Sequence, residues 1–270
     1  MIFVEKKRFY IGVDCEGVAC AVGIPGQSIG TGDNYRFAAR QATREADAAA
    51  RALFDMGAEE VWVWDNHGGG TNLDYDLLDP RCRIVLGSGH HGRFPAIDGS
   101  FGGVLFIGYH AKEGSCPAVL SHTYSSAAYH RFGINGQSMG EMEIDAAFAG
   151  KAGVPVIFAA SDNVGVAQAK EAFPWIETVA TKEALSWNSA ISLHPQEACR
   201  QIYEAVKRAC QRLEEMERYT ISEPLEVSLS FKRMDAANAA PLYDRERRPF
   251  RFADAYTREG TLDHLEDLFN

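Results

Sequence analysis

The sequence predicts an α/β fold: a mainly parallel sheet flanked by helices (an α/β/α sandwich), with a smaller C-terminal α+β lobe. Three observations predict it. Short apolar runs bounded by turn residues recur along the chain, as strands buried on both faces do. Amphipathic helical stretches alternate with them, as crossovers between parallel strands require. Histidines and carboxylates gather where the runs end, the edge at which open parallel sheets bind ligands. With 270 residues the chain can bury a sizeable core. A catalytic domain over 1–190 carrying the site and a lobe over 191–270 are expected.

The first strand is "FYIGVD", which ends in "GVDCEG" (12–17). Side chains alternate along a strand, so Asp14 and Glu16 point one way and Cys15 the other. Two anions held side by side repel each other unless a proton or a cation sits between them. "DNYRFAARQATREADAAARALFDMG" then predicts a long helix with Ala, Leu and Phe on one face, ended by Gly57. "EEVWVWD" (59–65), "CRIVLG" (82–87), "GGVLFIGYH" (102–110) and "VPVIFAASD" (154–162) are the next buried strands, and 140–153 between the last two is a helix. Residues 195–218 form another amphipathic helix with Pro195 in its first turn, 225–231 and 250–255 alternate as half-buried strands, and "LDHLEDLF" closes the chain as a helix.

Apolar content of 46% and charged content of 24% are ordinary for a soluble globular protein, and a net charge of −10 argues against a surface built to grip nucleic acid or anionic lipid. The terminus "MIFVEKKRFYIGVD" lacks a signal-peptide core, and no apolar run approaches membrane-spanning length, so a cytoplasmic protein is expected. Six cysteines at irregular spacings, with no C-x-x-C pair, suit reduced thiols. Any metal must therefore be held by histidines and carboxylates.

Those residues stand at the strand ends: Asp14 and Glu16 after the first, Asp65 and His67 in "WDNHGGG" after the second, His110 in "IGYHA", Asp162, and His122 after the run Ala118-Val119-Leu120. Singly, each reads as a helix cap or turn former. Together they ask for one explanation, and a metal supplies it, since a carboxylate can bridge two ions ~3.5–4 Å apart in a hydrolytic site. His90 and His91, adjacent in "GSGHHGRFP", point apart and suit a loop near the site that contacts substrate. His130, His194 and His264 read as structural or surface residues. Glu141, Glu143 and Asp145 open a helix, where acids favour the positive end of the dipole whatever their function.

Rival readings exist. "HGGG" (67–70) and "GQSMG" (136–140) together mimic the oxyanion loop and nucleophile elbow of an α/β-hydrolase, which would make Ser138 the nucleophile of a serine esterase. The elbow must follow a hydrophobic strand, whereas Asn135-Gly136 signals a hairpin. The glycines at 68–70 and 87–89 suggest a phosphate or dinucleotide module, but no G-x-G-x-x-G or G-x-x-x-x-G-K-[ST] joins a strand to a helix. A purely structural metal would need a closed shell of ligands.

Five segments between residues 13 and 146 resemble the DppA-like D-aminopeptidase family of zinc peptidases, family M55, in the family's order: "VDCEG", "WDNHGG", "IGYHA", "LSHT" and "INGQSMGEMEIDA". The resemblance implies that Asp14, Glu16, His67, His110 and Glu141 are metal ligands, that two zinc ions per chain are bridged by Asp14, and that His122 is the catalytic histidine. It also implies an aminopeptidase that removes the N-terminal residue of short, D-amino-acid-containing peptides with a metal-activated water. The partners implied are a short peptide substrate and further copies of the chain in a ring-shaped homo-oligomer, a decamer. GQSMG then belongs to the segment that delivers Glu141.

Overall fold

The computed structural model describes residues 7–269. The reading of residues 1–6 as part of a terminus without a signal-peptide core lies outside them. In chain order the elements are β1 (Arg8–Val13), α1 (Asp33–Asp55), β2 (Glu60–Asp65), β3 (Arg83–Val85), β4 (Phe101–Ile107), β5 (Tyr129–Ile134), β6 (Gln137–Ser138), α2 (Glu141–Lys151) and β7 (Val156–Asp162). They continue as α3 (Asn163–Ala172), β8 (Glu177–Ser186), β9 (Ser189–Ser192), α4 (Pro195–Gln211), β10 (Leu225–Phe231), α5 (Met234–Ala239), β11 (Arg251–Phe252) and β12 (Thr257–Leu262).

The larger sheet has the order β3-β2-β1-β4-β7-β8-β9 and is parallel except for the β8–β9 pair. β1, β4 and β7 are buried almost throughout, as their unbroken apolar sequences require. α1 lays Ala38, Ala42, Ala46, Ala49 and Leu53 against one face, and α4 meets it there with Ile202, Ala205 and Ala209. Small residues at helical spacing let the two helices pack closely. The other face buries aromatic residues, Tyr10, Trp64, Phe94, Phe101 and Phe106 among them, together with Met142 and Ala146 of α2.

A second, antiparallel sheet runs β11-β12-β10-β5-β6. Asn135 and Gly136, both at positive φ (52° and 79°), form the turn of the β5–β6 hairpin, as their sequence signals. The boundary expected near 190 and the division between the two sheets fall at different places along the chain. β5 and β6 leave the first 190 residues to build the smaller sheet, while α4, beyond position 190, packs against the larger one. The helix expected over 195–218 ends at Gln211, where Arg212 turns to pair with Glu177 and Glu215. The strand expected over 250–255 shrinks to β11, and the closing helix is a short 3-10 turn, Leu265–Phe269. Among the described residues no helix is long and apolar enough to cross a membrane. All six cysteines carry free thiols.

Glu45 of α1 is fully buried and accepts hydrogen bonds from the Ala19 N–H and from Gln41 Nε2, both at 2.9 Å. Burial pushes its carboxyl up to about 7, a rise that these bonds and nearby Lys182 offset only in part. The folded pKa exceeds the ordinary 4.5, so Glu45 contributes stability below about 4.5 that is lost as pH rises through about 7. Glu45→Gln is expected to remove that loss. Thermal unfolding at constant zinc should show wild type losing several degrees relative to the variant between roughly pH 5 and pH 8. Parallel melting curves across that range would contradict it.

Candidate metal centre

β1 lies between β2 and β4, so the chain reverses its order of strand addition there, and the crevice beyond the carboxyl ends of β1 and β4 is the natural ligand site. Asp14 and Glu16 both accept from the intervening N–H. Cys15 N donates to Asp14 Oδ1 at 2.9 Å and to Glu16 Oε2 at 3.3 Å. The two carboxylates therefore share a side, while the Cys15 side chain joins the core. Two glycines let the β1 and β4 ends meet. A Cβ on Gly17 would lie 1.9 Å from the Tyr109 carbonyl oxygen, and one on Gly108, at φ 73°, would lie 2.1 Å from that of Asp14. Behind the loop, buried Lys182 donates to the carbonyls of Glu16, Val18 and Ala21 at 2.5, 2.8 and 2.6 Å.

His67 follows β2 and brings Nε2 to 3.2 Å from Glu16 Oε1. His110 follows β4, and its Nδ1–H donates to the Ala111 carbonyl at 3.1 Å. That bond leaves His110 Nε2 buried and without a hydrogen-bond partner among the described residues, 3.3 Å from Glu141 Oε1 and 3.5 Å from Asp14 Oδ2. Glu141 is the first residue of α2, delivered by the hairpin, and its Oε1 accepts from the Tyr124 N–H at 2.7 Å. His122 donates Nδ1–H to the Leu120 carbonyl at 2.7 Å and stacks on His110, with ring centroids 4.0 Å apart. Its Nε2 faces Glu141 Oε1 at 3.8 Å. Leu120 holds a positive φ of 53°, a strained position for a branched side chain.

All six residues expected at the site thus converge. Asp14, Glu16 and His110 offer donor atoms within 4.8 Å of one another, as do His110, His122 and Glu141. The residue common to the two groups is His110. Asp65 and Asp162 stand apart from the cluster. Asp65 is occupied by the Asn72 N–H and Nδ2, the Leu73 N–H and the Tyr75 hydroxyl, and Asp162 caps α3 through the Gly165 N–H. Of the other helix-start acids, Glu143 accepts from the Gly140 N–H and Asp145 pairs with Arg93. Ser138 sits on β6, where its carbonyl accepts Lys112 Nζ, and its hydroxyl bonds no histidine among the described residues. His90 borders a hollow beside the cluster, and His91 is exposed.

The electrostatics of the cluster favour a cation. Burial, then the charge of Glu16, pushes the Asp14 carboxyl well up. Burial would raise Glu16 too, but His67 reverses this and holds it well below the usual range. Burial likewise opposes the charge on Glu141, yet His110 brings it down to about 2. Burial disfavours charge on His67 and His110, yet Glu16 and Glu141, respectively, lead the carboxylates that hold each imidazole up at about 10. Three buried carboxylates thus draw protons onto two histidines where a cation would serve. Nitrogen and oxygen donors of this kind, with His110 Nε2 and His67 Nδ1 unpartnered among the described residues, suit a divalent ion such as zinc. The His110 Nδ1–H bond fixes the tautomer that a metal-ligating Nε2 needs. Beside these residues lies a hollow of about 330 Å³ that Arg93, Asn66 and Ser125 also line.

The sequence reading missed three supports of the site: Lys182, the Tyr124 N–H and the Arg93–Asp145 pair. Lys182 stands in a stretch of mixed charge with no sign of burial in its pattern, and a backbone donor leaves no sequence signal.

Comparison with known proteins places the chain. The family model Peptidase_M55, described as D-aminopeptidase, matches residues 7–264. The chain is 31% identical over 238 residues to a D-aminopeptidase of Bacillus subtilis (strain 168), covering 87% of this chain and 85% of that protein. Among solved structures it is similar, at TM-score 0.88 and 26% identity, to the Zn-dependent D-aminopeptidase DppA from Bacillus subtilis, described as a self-compartmentalizing protease. That match covers 97% of this chain and 94% of the other.

Proposed function

The chain belongs to the D-aminopeptidase family, Peptidase_M55, and from that membership we propose a zinc-dependent aminopeptidase that removes the N-terminal residue of short peptides, D-residues included. The observation that carries the proposal is the buried cluster at the strand-order reversal, with His110 Nε2 unpartnered among the described residues and aimed at two carboxylates. Asp14, Glu16, His67, His110 and Glu141 would hold two zinc ions. Zinc held there supplies Lewis acidity, lowering the pKa of water and polarising a carbonyl.

The protein's own groups do the rest. A peptide's free amine would be a further nitrogen donor at this floor, which selects for N-terminal cleavage. His122 is the proton carrier. Burial first, and then the neighbouring His110, shifts it below the ordinary 6.5, which favours the neutral imidazole. The Nδ1–H bond to Leu120 leaves the Nε2 lone pair facing the site, where it can take a proton from the attacking water and return it to the leaving amine. The fit to a self-compartmentalizing relative supports assembly of copies into a closed ring, a decamer by family resemblance. Reduced thiols suit action in the cytoplasm.

Hydrolysis of a dipeptide with an N-terminal D-residue, followed before and after chelation, tests this reading. Chelation is expected to abolish turnover and added zinc to restore it. Because an ion bound only by the folded state stabilises it by mass action, chelation should also lower Tm by roughly 5–10 °C. Turnover and Tm both indifferent to chelation would contradict the proposal.

A further inference from the structure

Next to the metal-side hollow lies a second one, of about 220 Å³, and the two share Asn66, Gly68 and Arg93. The second is walled by the exposed Gly87–His90 turn and by Trp64, on which the His90 ring stands edge-on with centroids 5.7 Å apart. The sequence singles out this histidine, and the metal cluster leaves it unused. Both hollows are at or below the small end of ligand pockets, roughly 300–1,000 Å³, so joined they suit a ligand of a few residues rather than a protein chain.

Arg93 stands where the hollows meet. Its Nε and Nη2 grip Asp145 at 2.7 and 2.9 Å, and Nη2 also donates to Asn66 Oδ1. Trp64 and Tyr124 flank the guanidinium at 4.6 and 5.1 Å from their ring centres, so the fork is fixed in place. Its Nη1 makes no hydrogen bond among the described residues. Asp145 is shared with the Tyr109 and Tyr124 hydroxyls, at 2.6 and 3.1 Å, which disperses its charge. The other carboxylate on this wall, Asp65, is fully taken up by its loop. The two hollows therefore present metal-binding residues at one end and a guanidinium donor where they meet, with Trp64 and Phe269 as apolar walls of the second. A short peptide zwitterion carries the complementary pair, an amine at one end and a carboxylate at the other.

We propose that the second hollow receives the leaving end of a short peptide and that Arg93 Nη1 binds its C-terminal carboxylate, an assignment that rests on the aminopeptidase reading of the metal site. It makes the enzyme a selector of very short peptides, because a longer chain has no carboxylate at the required distance.

The test compares D-alanyl-glycine with D-alanyl-glycinamide on the zinc-loaded protein. The amide is expected to show kcat/KM lower by roughly tenfold to a hundredfold, the range for a hydrogen bond to a charged group, with the loss in KM. Arg93→Lys keeps a positive charge beside Asp145 but loses the fork, so the ratio between the two peptides should fall toward one. Ser88→Tyr, at an exposed position of the turn, narrows the hollow and should raise KM for the acid with zinc content and Tm unchanged. If Arg93→Lys does not fold, the wild-type comparison and Ser88→Tyr still decide. Equal use of acid and amide by wild type would overturn the anchor alone, as would a folded Arg93→Lys that keeps the full ratio or a Ser88→Tyr with unchanged KM. Hydrolysis of neither peptide would overturn the aminopeptidase reading and this assignment with it.

Discussion

His122→Ala is expected to lower kcat by roughly two to four orders of magnitude while zinc content and KM stay near wild type. The reason is the tautomer. With Nδ1–H committed to the Leu120 carbonyl, Nε2 is the atom that faces the cleft, and a neutral imidazole can accept there what it later donates. Burial and His110 hold the imidazole below 6.5, so the acid limb of kcat/KM in wild type is expected below that pH and should vanish in the variant. Elemental analysis decides the alternative. His122 offers a donor atom within 4.8 Å of those of His110 and Glu141, so loss of zinc together with activity would make it a ligand instead.

Asp14→Ala is expected to reduce turnover to background and to lose zinc. Asp14 is nearly inaccessible, and burial, then the Glu16 charge, disfavours its ionised form, a cost that a cation beside it would offset. Removing it relieves repulsion, so the zinc-free variant should be at least as stable as zinc-free wild type while its Tm responds less to added zinc. That pairing separates a lost ligand from a misfolded chain. A variant that keeps wild-type zinc and turnover would remove Asp14 from the centre.

The parallel sheet was legible because β1, β2, β4 and β7 are near-continuous apolar runs, and their polar ends marked the crevice. β8, β9 and β12 were not. "ETVATKEALS" and "TREGTL" carry charges that tertiary structure buries, Lys182 under the Glu16 loop and Arg258 against the carbonyls of Phe250 and Ala237. The Asn135-Gly136 turn was readable, but its consequence, a mid-chain hairpin joining strands from beyond residue 220, depends on long-range pairing. At the site, Asp14, Glu16, His67 and His110 stood out as strand-end residues. Choosing Glu141 over Glu143 and Asp145 took family resemblance, because all three favour a helix start. The structure separates them by partner: the His110 cluster, the Gly140 cap and Arg93.

We propose that the buried carboxylates and histidines at the β1–β4 crevice hold zinc. Elemental mass spectrometry of the purified protein, normalised per chain, is the test. About two zinc ions per chain are expected, the number a bridged hydrolytic site requires. A protein that holds none, even after zinc is offered back, would contradict the claim and leave the repulsion between Asp14 and Glu16 to be balanced by protons alone.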